Sequence, residues 1–190
     1  MEEKYANISQ MVHFLIKNSY GGRRNLKFAD LTCGNGYDTL FLSNLAGSTG
    51  FVKAFDIQEE AVIRTKKLLK ENATFKNYEV IKESHEFIEK YLFEKIDAAV
   101  FNLGYLPNFD KRIITKPNST IKCLSFLMGC LESDGRIYIA AYVSHDKGYE
   151  IGKISEYLNN IKGYEYNVIH IHVINKKSSP PELYIIEKNA

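Results

Sequence analysis

The chain has 190 residues, 45% hydrophobic and 25% charged, which is enough for one α/β domain with a substantial core and too apolar for disorder. Lys and Arg outnumber Asp and Glu by 25 to 23, a formal charge of +2, so no global field advertises nucleic acid and any RNA contact has to come from a local patch. Cys33, Cys123 and Cys130 form no C-x-x-C pair, which argues against a disulfide framework or a zinc knuckle and for a reducing compartment.

The acidic start and the short apolar stretch 11–16, interrupted by His13, give no signal peptide or membrane span, so a cytoplasmic protein is expected. Ile8, Met11, Val12, Leu15 and Ile16 recur at helical spacing and predict an amphipathic helix over 8–17 that covers a sheet edge. Apolar runs then alternate with helical patterns: strand 28–31, helix 37–45, strand 51–55, helix 59–69, strand 78–81, a short helix around 86–91 and strand 96–101. Such alternation predicts right-handed βαβ units and a parallel sheet.

A loop over 104–118, a helix over 120–131 and Gly135 lead into the unbroken apolar strand 136–143, a run suited to burial on both faces. After a helix over 149–161, strands 166–174 and 183–186 are joined by the polar loop 175–181 with no helix between them, so they should pair as an antiparallel hairpin. This α/β pattern looks like the Rossmann-like class I methyltransferase fold: a seven-stranded, mostly parallel sheet with a C-terminal antiparallel hairpin and helices on both faces. One domain over 1–190 is expected, with a helical segment at 1–25 before the first strand.

Chemistry gathers at strand ends. The turn Asp30-Leu31-Thr32-Cys33-Gly34-Asn35-Gly36 follows the first strand. Glycines there let the backbone approach a ligand, and the next helix offers unpaired N–H groups. Thr39 stands where a G-x-G-x-x-G fingerprint would have its third glycine, which weakens the dinucleotide version. Asp56, twenty residues after Gly36, can accept both ribose hydroxyls, or it can serve as a helix cap. Asn102, at the end of the fourth strand, can orient an amine nucleophile with its side-chain carbonyl and nearby backbone carbonyls, or it can cap the strand. Beside it Gly104 allows close approach, Tyr105 can pack its π face on a base or a sulfonium, and Pro107 stiffens the loop.

Ser84 and His85 follow the third strand and His145 follows the fifth. His170 and His172 share one face of a strand, but no third metal ligand is evident, so no metal is expected. Basic residues gather at Lys17, Arg23, Arg24 and Lys27, at Lys111, Arg112, Lys116 and Lys122, and at Lys176 and Lys177. The middle group adjoins the Asn102 loop, where an RNA backbone can meet it.

Taken in order, Asp30-x-x-x-Gly34-Asn35-Gly36-Tyr37-Asp38-Thr39, Phe55-Asp56-Ile57-Gln58, Ser84-His85, Phe101-Asn102-Leu103-Gly104-Tyr105-Leu106-Pro107, Lys111, Ser144-His145-x-x-Gly148 and Pro180-Pro181-x-Leu183 resemble the YtqB family, long labelled rRNA methylases. The match runs from about residue 28 to 188, with Thr32-Cys33 as a small departure. The resemblance implies the activity called MnmM, methylation of the amine of 5-aminomethyl-(2-thio)uridine at the tRNA wobble position. It implies an S-adenosylmethionine site at Asp30, Cys33, Gly34, Asn35, Gly36, Asp38, Thr39, Asp56, Gln58, Ser84, His85 and Asn102. Asn102, Leu103, Gly104 and Tyr105 would orient the amine. Tyr105, Pro107, Lys111, Arg112 and His145 would contact the anticodon stem-loop.

Two rivals stay open. One is methylation of an exocyclic base amine in rRNA or DNA, since the Asn102 segment resembles Asn-Pro-Pro-Tyr with two residues changed. The other is a nicotinamide-dependent reductase or a non-catalytic nucleotide-binding module, against which Thr39 and the terminal hairpin both speak. No membrane partner is expected, and a homodimer is compatible with the sequence.

Overall fold

The computed structural model describes residues 7–92, 94–103, 116–142, 148–175 and 180–189. In chain order it forms α1 (Ile8–Tyr20), β1 (Lys27–Asp30), α2 (Tyr37–Ala46), β2 (Phe51–Asp56), α3 (Glu59–Asn72), β3 (Tyr78–Lys82), a 3₁₀ segment (His85–Lys90) and β4 (Ile96–Leu103). There follow α4 (Pro117–Gly129), β5 (Leu131–Ala141), α5 (Tyr149–Asn159), β6 (Tyr166–Ile171) and β7 (Glu182–Lys188). The strands make one sheet in the order β3-β2-β1-β4-β5-β7-β6. β1 to β5 are parallel, and β7 lies antiparallel between β5 and β6. This is the class I methyltransferase fold expected from the alternation of elements and the terminal hairpin.

Period-two alternation sorts each strand onto two faces. Phe28, Val52, Ala98, Val100, Tyr138, Ala140, Leu183 and Ile185 face α1 and α2, where they meet Val12, Ile16, Leu42 and Ala46. Ala29, Phe55, Ala99, Phe101, Ile137 and Ile139 face α4 and α5, where they meet Leu124, Leu127, Ile154 and Leu158. Asn102 has the parity of Ala98 and Val100, so its side chain leaves the sheet on the α1–α2 side.

α1 does not lie along a sheet edge, contrary to the expectation from its pattern. Its apolar stripe Ile8, Val12, Ile16, Tyr20 packs in one cluster with Tyr138, Ala140 and Leu183, over the interior strands β5 and β7. The buried Tyr20 hydroxyl anchors it there by donating to the Asp97 carbonyl at 2.8 Å. Asn7 caps the helix by accepting from the Gln10 N–H at 3.2 Å.

Two element starts shift from expectation by three residues or more. α4 starts at Pro117 and not at Thr120, because proline at the first helical position gives up only an N–H that had no partner. β5 starts at Leu131 and not at Arg136. Ile96 pairs with Leu131 and Ala98 with Arg136, so the intervening residues bulge. Gly135 suits that bulge, since a Cβ there would stand 3.0 Å from the Glu132 nitrogen and oxygen.

A cavity of about 320 Å³ opens at the amino ends of β1, β2 and β4, lined in part by Lys27, Phe51, Lys53, Tyr91 and Glu94. Its lysines are already paired, Lys27 with Glu94 and Lys53 with Glu79. Ligands of open α/β sheets collect at the opposite, carboxyl ends of the strands, where the strand order reverses. In this sheet that point lies between β1 and β4.

Candidate functional site

Residues 31–36 leave β1 and turn back into α2, stitched to the strands on either side. The Leu31 N–H donates to the Val100 carbonyl at 2.9 Å, and the Cys33 N–H to the Phe55 carbonyl at 2.9 Å. The Gly36 N–H closes the turn on the Cys33 carbonyl at 2.7 Å. Gly34 and Gly36 sit at φ +52° and +86°, left-handed backbone that favours glycine. At Gly36 space is also limiting, because a Cβ would lie 3.0 Å from Thr65. Thr65 Oγ1 in turn donates to the Gly34 carbonyl at 3.1 Å, so α3 supports the turn from behind.

Asp30 is fully buried. It accepts from Thr39 Oγ1 at 2.6 Å and from the Thr32 N–H at 3.2 Å, joining the end of β1 to the first turn of α2. Burial pushes its carboxyl up to about 7, with the nearby charge of Asp38 adding to the rise. Thr39 is equally buried, so neither group is open to a ligand in the cleft. Cys33 is buried too, and burial raises its thiol well above the ordinary range, which makes it a packing residue.

Asp56 closes the far side. Its Oδ2 accepts from the Gly34 N–H at 3.0 Å and its Oδ1 from the Gln58 N–H at 2.9 Å. Burial raises its carboxyl pKa while the backbone N–H groups of Gln58, Gly34 and Ile57 oppose the rise. With three backbone N–H groups on its two oxygens the carboxylate keeps acceptor capacity, and the side chain stays partly open, as acceptance from a ribose requires. Asn35 is half-buried in the same turn.

Ser84 caps the 3₁₀ segment by accepting from the Glu86 N–H at 3.4 Å. His85 is 7% exposed and packs edge-on against Phe101, with centroids 5.6 Å apart. Burial lowers its pKa against a hydrogen bond with the Leu31 backbone, so the ring is held neutral. Its Nε2 is buried with no partner among the described residues, an orphan acceptor at the carboxyl end of β3. An exocyclic amino group of a bound purine would satisfy it. The glycine cradle, Asp56 and His85 therefore fit an adenosyl cofactor.

Asn102 stands across the turn. Its main-chain N–H donates to Thr32 Oγ1 at 2.7 Å, and its side-chain Nδ2 donates to Asp38 Oδ2. With Nδ2 committed, the acceptor side of the planar amide points away from Asp38. Leu103 turns its side chain into the opposite core and its carbonyl accepts the Tyr142 N–H at 3.1 Å. Gly104, Tyr105, Pro107, Lys111, Arg112 and His145 lie outside the described residues, as do Lys176 and Lys177. Of the other basic residues, Arg23 pairs with Asp134 at 2.7 Å and Lys122 with Glu89 at 3.6 Å, while Lys116 is exposed. His170 stacks on Tyr184 with centroids 4.4 Å apart and meets Glu182 at 3.0 Å. No group of three metal-ligating side chains occurs among the described residues.

Sequence reasoning missed four residues around this site. Thr32 holds Asn102, Thr65 supports the glycine turn, His13 meets Asp38 at 2.5 Å, and Tyr142 lies near Ser9 and Asp38. One signal was available: Ser9 and His13 are four apart, a polar stripe flanking the buried stripe of α1.

The family described as "Putative rRNA methylase" matches residues 52–187. An Arabidopsis thaliana protein named tRNA (mnm(5)s(2)U34)-methyltransferase, chloroplastic, is 28% identical over 170 residues. That match takes in 84% of this chain and spans only 62% of the relative's length. Among solved structures, a "putative rRNA-methylase" from Clostridium thermocellum superimposes with a TM-score of 0.91 at 37% identity, covering 99% of this chain and 100% of that one. A "putative methyltransferase" from Streptococcus mutans in complex with SAH gives a TM-score of 0.85 at 33% identity, covering 99% of each chain.

Proposed function

The chain belongs to the rRNA methylase family and is an S-adenosylmethionine-dependent methyltransferase, and we propose that its acceptor is the amine of 5-aminomethyl-(2-thio)uridine at the wobble position of the tRNA anticodon. The product is 5-methylaminomethyl-(2-thio)uridine. The observation that carries this reading is the Asn102 carboxamide, held by Asp38 through its donor nitrogen with the acceptor oxygen turned away. An oxygen so placed beside the glycine turn suits a nucleophile that brings N–H groups. The name of the Arabidopsis relative supports the wobble uridine as the base concerned.

When bound, S-adenosylmethionine supplies an electrophilic methyl group on a sulfonium. Asp56 would accept from the ribose hydroxyls, the backbone of Gly34, Asn35 and Gly36 together with Gln58 and Ser84 would help to hold the nucleoside, and His85 Nε2 would accept from the adenine amino group. Asp30, Thr39 and Cys33 act through the turn that they brace. Asn102 Oδ1 accepts an amine hydrogen and fixes the direction of the lone pair. The Leu103 carbonyl, already used by Tyr142, is the lesser acceptor. An alkyl amine that has lost its proton to solvent is a good nucleophile, so no strong base is required. Tyr105, Pro107, Lys111, Arg112 and His145 complete the proposal as contacts to the anticodon stem-loop.

Nucleoside analysis of tRNA from cells with and without the gene tests this. Loss of the gene should leave the unmethylated aminomethyl nucleoside in place of its methylated form. A normal tRNA profile together with a missing methyl group on an rRNA or DNA base amine would overturn it.

A further inference from the structure

His13 is held on two sides. Its Nε2 lies 2.5 Å from Asp38 Oδ1, and its ring is stacked on Phe41 with centroids 3.9 Å apart and planes 7° from parallel. The imidazole keeps 27% of its side-chain exposure and Asp38 only 14%, so the pair sits at the wall of the cleft and not on open surface. Asp38 spends its other oxygen on Asn102 Nδ2. Three elements distant in sequence, α1, α2 and β4, are thus joined side chain to side chain at the atom that decides how Asn102 faces the cleft. Ser9, one turn before His13, lies beside the Tyr142 hydroxyl after the end of β5 and opposes the rise that burial gives its pKa, which places this face of α1 over the same end of the sheet.

We infer that His13 is a positioning residue for methyl transfer, acting through Asp38 to set the orientation of the Asn102 carboxamide. The reason is torsional. The terminal torsions of Asn and Asp are broad and nearly two-fold, so a lone carboxamide exchanges its donor and acceptor sides at small cost. Asp38 removes that freedom from Asn102, because a carboxylate can only accept. Asp38 sits on the first turn of α2, where the helix N-terminus favours its charge but leaves its plane free to turn. The hydrogen bond from His13 takes up one oxygen and leaves the other aimed at Asn102. Stacking on Phe41 in turn holds the imidazole. The inference rests on Asn102 being the acceptor for the amine.

The test uses the full-length protein with His13→Ala and His13→Gln, since a glutamine Nε2 reaches about as far as the histidine Nε2 and can donate to Asp38. His13→Ala should lower the single-turnover methylation rate about 10- to 100-fold while cofactor affinity stays within about two-fold, the pattern of lost orientation. Added to Asn102→Ala it should cost nothing further. The Asn102 side-chain amide protons, followed by NMR with cofactor bound, should exchange with solvent faster in His13→Ala. His13→Gln should restore both the protection and most of the rate. Unchanged amide exchange in a folded His13→Ala protein, or failure of glutamine to restore it, overturns the inference. If the wild-type protein binds cofactor but leaves aminomethyl-uridine tRNA unmethylated, the proposed substrate fails, and the amide exchange still decides the role of His13.

Discussion

Thr32 Oγ1 accepts the main-chain N–H of Asn102 at 2.7 Å, tying the glycine turn after β1 to the residue on β4 that we propose orients the nucleophile. One hydroxyl thereby joins the turn to the end of β4. Thr32→Val keeps the shape and leaves that N–H without a partner, at a cost of about 1–3 kcal/mol. Urea denaturation should show this loss, with Thr32→Ser close to wild type. Equal stability in all three proteins would mean that the bond contributes nothing net.

Asp56→Ala should weaken S-adenosylmethionine binding by about 1.5–3 kcal/mol, the scale for hydrogen bonds to a charged group. Part of that loss comes through the Gly34 and Gln58 N–H groups that Asp56 also holds. Calorimetry with the cofactor measures it, and unchanged affinity in a folded variant removes Asp56 from the site.

Asn102→Ala should leave cofactor affinity nearly intact and lower methyl transfer at least about 100-fold, because it abolishes the orientation of the amine lone pair. Single-turnover assays on aminomethyl-uridine tRNA decide the matter. Near-wild-type rates would make Asn102 a strand cap.

The Asp30 carboxyl titrates near 3.8 in an unfolded chain and is pushed up to about 7 by burial in the folded one. The folded state therefore holds this proton more tightly, and the stability that follows is complete below about pH 4 and lost as pH rises through 7. Between those values the wild type should lose roughly 1–4 kcal/mol relative to Asp30→Asn. Denaturation midpoints measured across that range check it, and a constant difference between the two proteins would show that Asp30 does not titrate there.

Neutralising Lys111 and Arg112 together should weaken tRNA binding and flatten its salt dependence by about one unit of log–log slope for each phosphate no longer neutralised, with cofactor affinity unchanged. Filter binding across a salt series reads this slope. A wild-type slope in the double variant would send the search for the RNA surface elsewhere.

The sheet is legible in the sequence because its strands obey one simple period. Ala98, Val100 and Asn102 share one face while Ala99, Phe101 and Leu103 share the other, and the hairpin declares itself by the lack of a helix between β6 and β7. The glycine turn and Asp56 are legible for a similar reason, since both stand at fixed offsets from strand ends. His13 is not. A polar residue on an amphipathic helix says only that it faces away from the core, and what it meets depends on where the helix is laid on the sheet. The pattern of α1 suits an edge, yet the helix lies over β5 and β7, which is what brings His13 to Asp38. Thr32 is hidden by its place in the turn, where nothing in the sequence shows which N–H its hydroxyl will meet. Pro117 reads as loop material because proline breaks helices, although at the first helical position it starts one.

β7 is made after β6 and yet separates it from β5. While the chain is being synthesised, β5 must wait with an open edge until the strand that follows its nearest successor arrives, and β6 has no place in the sheet before then. An unpaired edge beside Ile137 and Ile139 is a template for a wrong neighbour, including β5 of a second growing chain. Between the emergence of residue 141 and residue 182 that edge of β5 therefore stands open, and a translational pause placed there would prolong its exposure.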